Sequence, residues 1–282
     1  MTSTKLVLLG TGNPNPDPAH SGPSIAIIVD ETPYIVDFGP NLVRQAAALT
    51  PRYGGNLPAL DARNINKAFL THLHSDHTIG YPDLILTPWV MGRNEPLEVY
   101  GPKGTLKLTR NILEAYQDDI QYRLYGMEPA NDQGWRVNVH EFEEGLIYED
   151  ENLRGEAFLV KHGNWPNAYG FRFTTEDKVI VISGDTAPCE NIRKFSQEAD
   201  ILLHEVYCHK SFCQQDQVWK TYHTEHHTST LELAALARDT QPGLLVLYHT
   251  LFWGASEQDI LMEIAQIYDG KVVVGSDLQV FT

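Results

Sequence analysis

The chain has 282 residues, 42% of them hydrophobic, with Gly and Pro scattered, which suits a globular α/β chain with a sizeable core. Its 37 Asp and Glu against 21 Lys and Arg leave a formal charge of −16. A polyanion would approach against an adverse field unless the few basic residues cluster, although divalent ions bound at a site would reverse that sign locally. Cys189, Cys208 and Cys213 make no even disulfide framework and read as reduced thiols in a cytoplasmic protein. Residues 1–12 hold one Lys and an apolar run of only residues 6–9, too short for a signal peptide or a membrane span.

In chain order, β-like runs fall at 5–9, 24–29, 33–37, 67–71, 97–100, 136–141, 157–161, 169–174, 178–183, 200–205, 244–248, 271–275 and 278–281. Leu106, Thr109, Leu113, Tyr116 and Ile120 predict one helix over 103–120 with a single buried face. Residues 229–239 open on capping residues and are Ala/Leu-rich, and 256–268 starts at Ser256 and buries Ile260, Ile264 and Ile267. Strands dominate the first third and later alternate with helices, so sheet layers covered by helices are expected. Without a linker, repeat or composition break, residues 1–282 read as one domain.

The run at 67–71 leads directly into His72-Leu73-His74-Ser75-Asp76-His77. Period-2 alternation sends His72 and His74 to one side, while Asp76 and His77 follow in the turn. Three imidazoles and a carboxylate suit zinc best, with manganese or iron as alternatives. Four ligands in one turn cannot complete two metal sites. Three further donors follow apolar strands: His162, Asp185 and His249.

His72-x-His74-x-Asp76-His77, His162, Gly184-Asp185-Thr186 and His249 resemble the five-part signature of the metallo-β-lactamase superfamily. The resemblance covers essentially the whole chain, with counterparts also for 9–12, 34–39 and 272–277. Within the superfamily the chain is most similar to the ribonuclease Z-like branch, which includes arylsulfatase-like hydrolases. His204-Glu205-Val206-Tyr207 resembles that branch's H-E-A-T segment, and His227-Thr228-Ser229-Thr230 its H-S-T segment. The resemblance implies a four-layer αββα sandwich, α/β in class, and two divalent ions. His72, His74 and His162 would hold one ion, and Asp76, His77 and His249 the other. Asp185 would bridge them, since a carboxylate can span two divalent ions. Hydrolysis by a metal-bound hydroxide is the chemistry implied, with Asp76 and Asp185 in the catalytic set and Glu205 and His227 supplying a proton to the leaving group. Asp37 reads as a supporting carboxylate rather than a ligand. His223 and His226 stay unassigned, and His20, His140 and His209 read as structural or solvated.

Two departures from the branch bear on the substrate. Only 185 − 162 = 23 positions separate His162 from Asp185, which leaves no room for the arm with which tRNA-processing members grip tRNA. After His249 the chain reads Thr-Leu-Phe252-Trp253-Gly, where those members carry a phosphate-binding Arg. Tyr81, Trp89, Trp165, Trp219 and Tyr222 are then expected around an apolar pocket, with Arg93 as the nearest anion contact. The expected substrate is a small-molecule phosphodiester or aryl sulfate, without nucleic acid or membrane partners and with a homodimer as an open option. A tRNA 3′-processing endoribonuclease is the alternative enzyme, and a non-catalytic metal-binding sensor or scaffold the alternative of another class.

Overall fold

The computed structural model describes residues 2–128 and 130–282. They form two compact units, each built on a seven-stranded mixed sheet with helices.

The first unit comprises the N-terminal strand, Pro14–Phe142 and Asp277–Thr282. Its strands are β1 (Thr4–Gly10), β2 (Ser24–Val29), β3 (Thr32–Val36), β4 (Lys67–Phe69), β5 (Leu97–Gly101), β6 (Val137–Glu141) and, at the C-terminus, Val280–Phe281. Every residue of β2 is buried, which is why Ser-Ile-Ala-Ile-Ile-Val reads as a continuous apolar run and not an alternating one. Asp30 and Glu31 turn the chain into β3 with Asp30 at φ 53°, a positive-φ turn that matches strand twist. The pairings from the C-terminal strand through β1, β2 and β3 are antiparallel, and β3 to β6 pair in parallel. Five α-helices among the described residues belong here: α1 (Leu42–Ala48), α2 (Ser75–Thr78), α3 (Tyr81–Val90), α4 (Thr105–Ala115) and α5 (Gln117–Tyr125). Val7, Ile28, Ile35, Phe38, Leu84 and Val99 lie in one buried cluster. The single helix expected over 103–120 is two, broken at Tyr116. Asp118 and Asp119 favour a new helix N-terminus there, where the exposed N–H dipoles attract negative charge.

The second unit holds Thr11–Asn13 and Glu143–Ser276. Its strands are β7 (Gly145–Glu149), β8 (Arg154–Leu159), β9 (Tyr169–Thr174), β10 (Val179–Ile182), β11 (Ile201–Tyr207), β12 (Leu244–Leu251) and β13 (Val272–Val274). β7 is missing from the expected set because no residue in it is buried, so no apolar period marks it. β7 to β10 pair antiparallel and β10 to β13 in parallel, the same pattern as in the first unit. The helices are α6 (Glu190–Phe195), α7 (His209–Phe212), α8 (Gln217–His226), α9 (Thr230–Thr240) and α10 (Glu257–Ile264). Ser229 with Glu232 and Ser256 with Asp259 form capping boxes that start α9 and α10 where the sequence placed them. In the first unit Asp37 follows β3 and His72 to His77 follow β4, and in the second Asp185 follows β10, all strands with a parallel neighbour. The three cysteines are free thiols. No helix among the described residues is long and apolar enough to cross a membrane.

Candidate metal centre

In the first unit the donors converge just past β3 and β4. Asp37 is fully buried at φ 62°, and its Oδ1 accepts the Thr71 backbone N–H at 2.8 Å and the Thr71 hydroxyl at 2.9 Å. Its Oδ2 lies 2.8 Å from His77 Nδ1. A carboxylate acceptor there makes Nδ1 the protonated nitrogen, which turns the Nε2 lone pair toward a metal. Thr71 Oγ1 also sits 3.0 Å from His72 Nδ1, so one threonine ties two supports together. The His72 ring centre is 4.7 Å from that of His74 and 4.2 Å from that of His77. His74 is the N-cap of α2, and this single turn brings Asp76 Oδ2 to 3.5 Å from His77 Nε2. His72, His74, Asp76 and His77 thus form one constellation.

The second unit gathers the other donors. His162 leaves β8 with Nδ1 2.9 Å from the His226 carbonyl oxygen, which again assigns the lone pair to Nε2. Asp185 follows Gly184, whose φ of 59° turns the chain sharply off β10. His249 does not end its strand as the sequence implied; β12 runs on to Leu251 and bulges at His249. Glu205 pairs with Tyr248 and Val206 with Thr250, leaving His249 as the extra residue at φ 48°. A bulge re-aims one side chain while the ladder continues. The His249 Nε2 is 3.5 Å from Asp185 Oδ2, and donor atoms of His162 and Asp185 lie within 4.8 Å of each other.

Beside them, Glu205 and His227 meet with Oε1 3.3 Å from Nδ1. Glu205 is fully buried, and its Oε1 accepts the backbone N–H groups of Thr186 at 3.2 Å and Thr228 at 3.0 Å. Burial, with the neighbouring Asp185 charge, pushes its carboxyl well above the usual range. Divalent cations would counter that push. His223, left unassigned from sequence, is buried with its ring 5.5 Å from that of His227, and its pKa is lowered to about 4 by burial and by His227 and His226. His226 contributes its carbonyl to His162. His140 stands apart from these donors: its Nε2 lies 2.7 Å from Glu98 and its ring stacks on Tyr100.

Imidazole nitrogens with fixed tautomers and monodentate-capable carboxylates are the donor chemistry of zinc and related ions, so these residues fit the metal the fold implies. The sequence placed Thr186 and Thr228 in motifs and Thr71 at a strand end without giving them these roles, because backbone N–H donors and a hydroxyl that bridges two other side chains carry no spacing signal.

Arg93 is not an anion contact. It is buried and makes five hydrogen bonds to four carbonyls, those of Ile65, Leu84, Ile85 and Gly134. Burial lowers its pKa to about 10, still leaving it charged at neutral pH. Tyr81 and Trp89 are equally buried in the first unit, packed against Phe38 and hydrogen-bonded to Asn131 respectively, so neither lines a pocket.

A family model for the β-lactamase superfamily domain matches residues 32–250. The chain belongs to that superfamily and is a metal-dependent hydrolase. Ribonuclease Z of Mycolicibacterium paratuberculosis is 30% identical over 280 residues, covering 97% of this chain and 96% of the relative. The metallo-β-lactamase fold protein YhfI of Bacillus subtilis superposes with TM-score 0.76 at 17% identity, over 99% of this chain and 100% of YhfI. Human tRNase Z, short form, gives 0.71 at 22% identity, over 99% and 98%. Both share the fold of two mixed sheets with helices.

These relatives overturn the expectation of a small-molecule substrate with no nucleic acid partner. That expectation leaned on the short interval between His162 and Asp185, on Phe252-Trp253 in place of an Arg, and on the whole-chain charge. Charges farther than about 8 Å are screened at physiological salt. The field that a phosphate meets is set instead by the divalent ions and side chains beside it.

Proposed function

We propose that this chain is an endoribonuclease of the ribonuclease Z type, hydrolysing one phosphodiester on the 3′ side of tRNA precursors with two zinc ions. The observation that carries the reading is 30% identity to a ribonuclease Z across 97% of the chain, beside this chain's own clustered His and Asp donors and its Glu205–His227 pair. His72, His74 and His162 would hold one ion, Asp76, His77 and His249 the other, with Asp185 shared. When bound, such ions supply Lewis acidity and lower the pKa of water. Asp37 and Thr71 hold His77 and His72 in their ligating orientation, and the His226 carbonyl does so for His162. Hydrolysis of an RNA phosphodiester breaks a P–O bond and expels a sugar oxygen, a poor leaving group as an alkoxide that needs a proton to depart as the hydroxyl. His227 donates it from the ring, and the Glu205 carboxylate, fixed by two backbone N–H groups, stabilises the imidazolium beforehand.

The test is cleavage of a precursor tRNA bearing a 3′ trailer by zinc- or manganese-loaded protein. Cutting at the 3′ side is expected. His227→Ala should lower kcat by roughly 10²–10⁴ with metal content unchanged, and the loss should shrink for a nitrophenyl phosphodiester, whose leaving group needs no proton. A fully loaded protein that leaves the precursor intact would overturn the ribonuclease reading. Equal losses on both substrates would reduce His227 to a structural residue.

A further inference from the structure

We propose that Trp219 and Tyr222 on α8, with Trp253 behind them, form a stacking platform for unpaired bases of the RNA strand leading into the site. This rests on the ribonuclease reading and names how that RNA is gripped without an arm. The outward side of α8 is unusually apolar: Val218 is 78% exposed, Trp219 53% and Tyr222 37%. The rings do not stand alone. Trp219 stacks on His223 at 5.8 Å and 27°, and Tyr222 on His226 at 4.0 Å and 16°. His223 touches Trp253 at 4.6 Å and His227 at 5.5 Å. Trp219 is therefore two ring contacts from the proposed proton donor, within one unit.

The helix is also fastened to a ligand. Its last turn accepts His162 Nδ1–H through the His226 carbonyl at 2.9 Å and the Gly163 N–H through the Glu225 carbonyl at 2.8 Å, and Glu225 pairs with Lys161 at 2.9 Å. A Cβ at Gly163 would lie 1.9 Å from His226 Nε2, so only glycine permits that closeness. A surface held this firmly beside the site meets whatever flanks the reacting phosphate. Its chemistry selects bases over phosphates, because α8 carries a single lysine, Lys220, while π faces accept any base. Continuity with His227 favours an RNA strand over a second protein on this face.

The experiment compares two RNAs cut at the same bond, one with a base-bearing single-stranded flank and one with an abasic flank. Trp219→Ala should raise KM for the base-bearing RNA by about 5- to 100-fold, leave kcat in place, and change little on the abasic RNA. Trp219→Phe should restore most of the loss. Short oligoribonucleotides should quench tryptophan fluorescence in the wild type and less so in Trp219→Phe. Equal losses on both RNAs, no quenching, or a changed oligomeric state in Trp219→Ala would overturn the platform, the last by making α8 a contact between copies. Quenching without any cleavage would keep the platform and sink the ribonuclease reading instead.

Discussion

Asp37 and His249 both adopt positive φ, at 62° and 48°, a region that non-glycine side chains enter only when their surroundings hold them. At Asp37 the holding contacts are Thr71 and His77, so backbone strain is traded for an oriented imidazole. Asp37→Asn tolerates the backbone but loses the anionic acceptor. Metal affinity should fall by about 10- to 100-fold in chelator competition, with far-UV circular dichroism unchanged. Unaltered affinity would remove Asp37 from the support of His77. His204 offers a test of another kind. It is buried with Nδ1 directed at the Glu205 carbonyl oxygen, and burial lowers its pKa to about 4. The unfolded side chain titrates near 6.5. Between those values the unfolded chain binds a proton that the folded one refuses. Stability is therefore intact above about pH 6.5 and falls as pH drops toward 4, by up to about 3 kcal/mol. Urea midpoints of metal-free protein should show the decline, and His204→Asn should flatten it.

At the scale of elements, the end of α3 shows how one buried charge can serve structure. Pro88 sits inside the helix and has no N–H to give to the carbonyl four residues back, that of Leu84. Arg93 Nη1 supplies the missing donor at 3.1 Å, and Nη2 caps Ile85 at 2.7 Å. Its fork then reaches Gly134, joining the helix end to the segment before β6. Arg93→Ala should cost about 3 kcal/mol or more in urea denaturation, because several buried carbonyls lose their donor together. Arg93→Lys should rescue little, since an ammonium cannot spread over four carbonyls. A near-neutral Arg93→Ala would contradict this account. The β12 bulge is the corresponding device in the second unit. One extra residue re-aims His249 while the flanking ladder to β11 stays paired.

For the whole molecule, each unit repeats the order of three antiparallel and three parallel pairings, although no sequence repeat is visible. Parallel strands need crossovers, and their C-terminal ends leave loops free to carry function. The seven-ligand assignment proposed above takes two ions, with Asp185 shared. On that assignment gently purified protein should hold close to two ions per chain, and Asp185→Ala should lose affinity and activity together. A single tightly held ion at full load would defeat the dinuclear reading. Chelation should abolish hydrolysis and restored zinc should recover it.

The strands other than β7, the two capped helices and the superfamily were legible in the sequence, because apolar period, Ser-x-x-acid caps and a dense His/Asp turn are all local patterns. Arg93, Tyr81 and Trp89 were not, since a residue's burial depends on what folds over it. Nor was His249's bulge, which exists only as a mismatch between two paired strands. The same holds for Trp219 and Tyr222: sequence marked them as aromatic, and tertiary structure decided that they face solvent on α8 while Tyr81 and Trp89 fill the core. Local chemistry is written in neighbouring residues. Which of those residues meet water is a property of the packed chain.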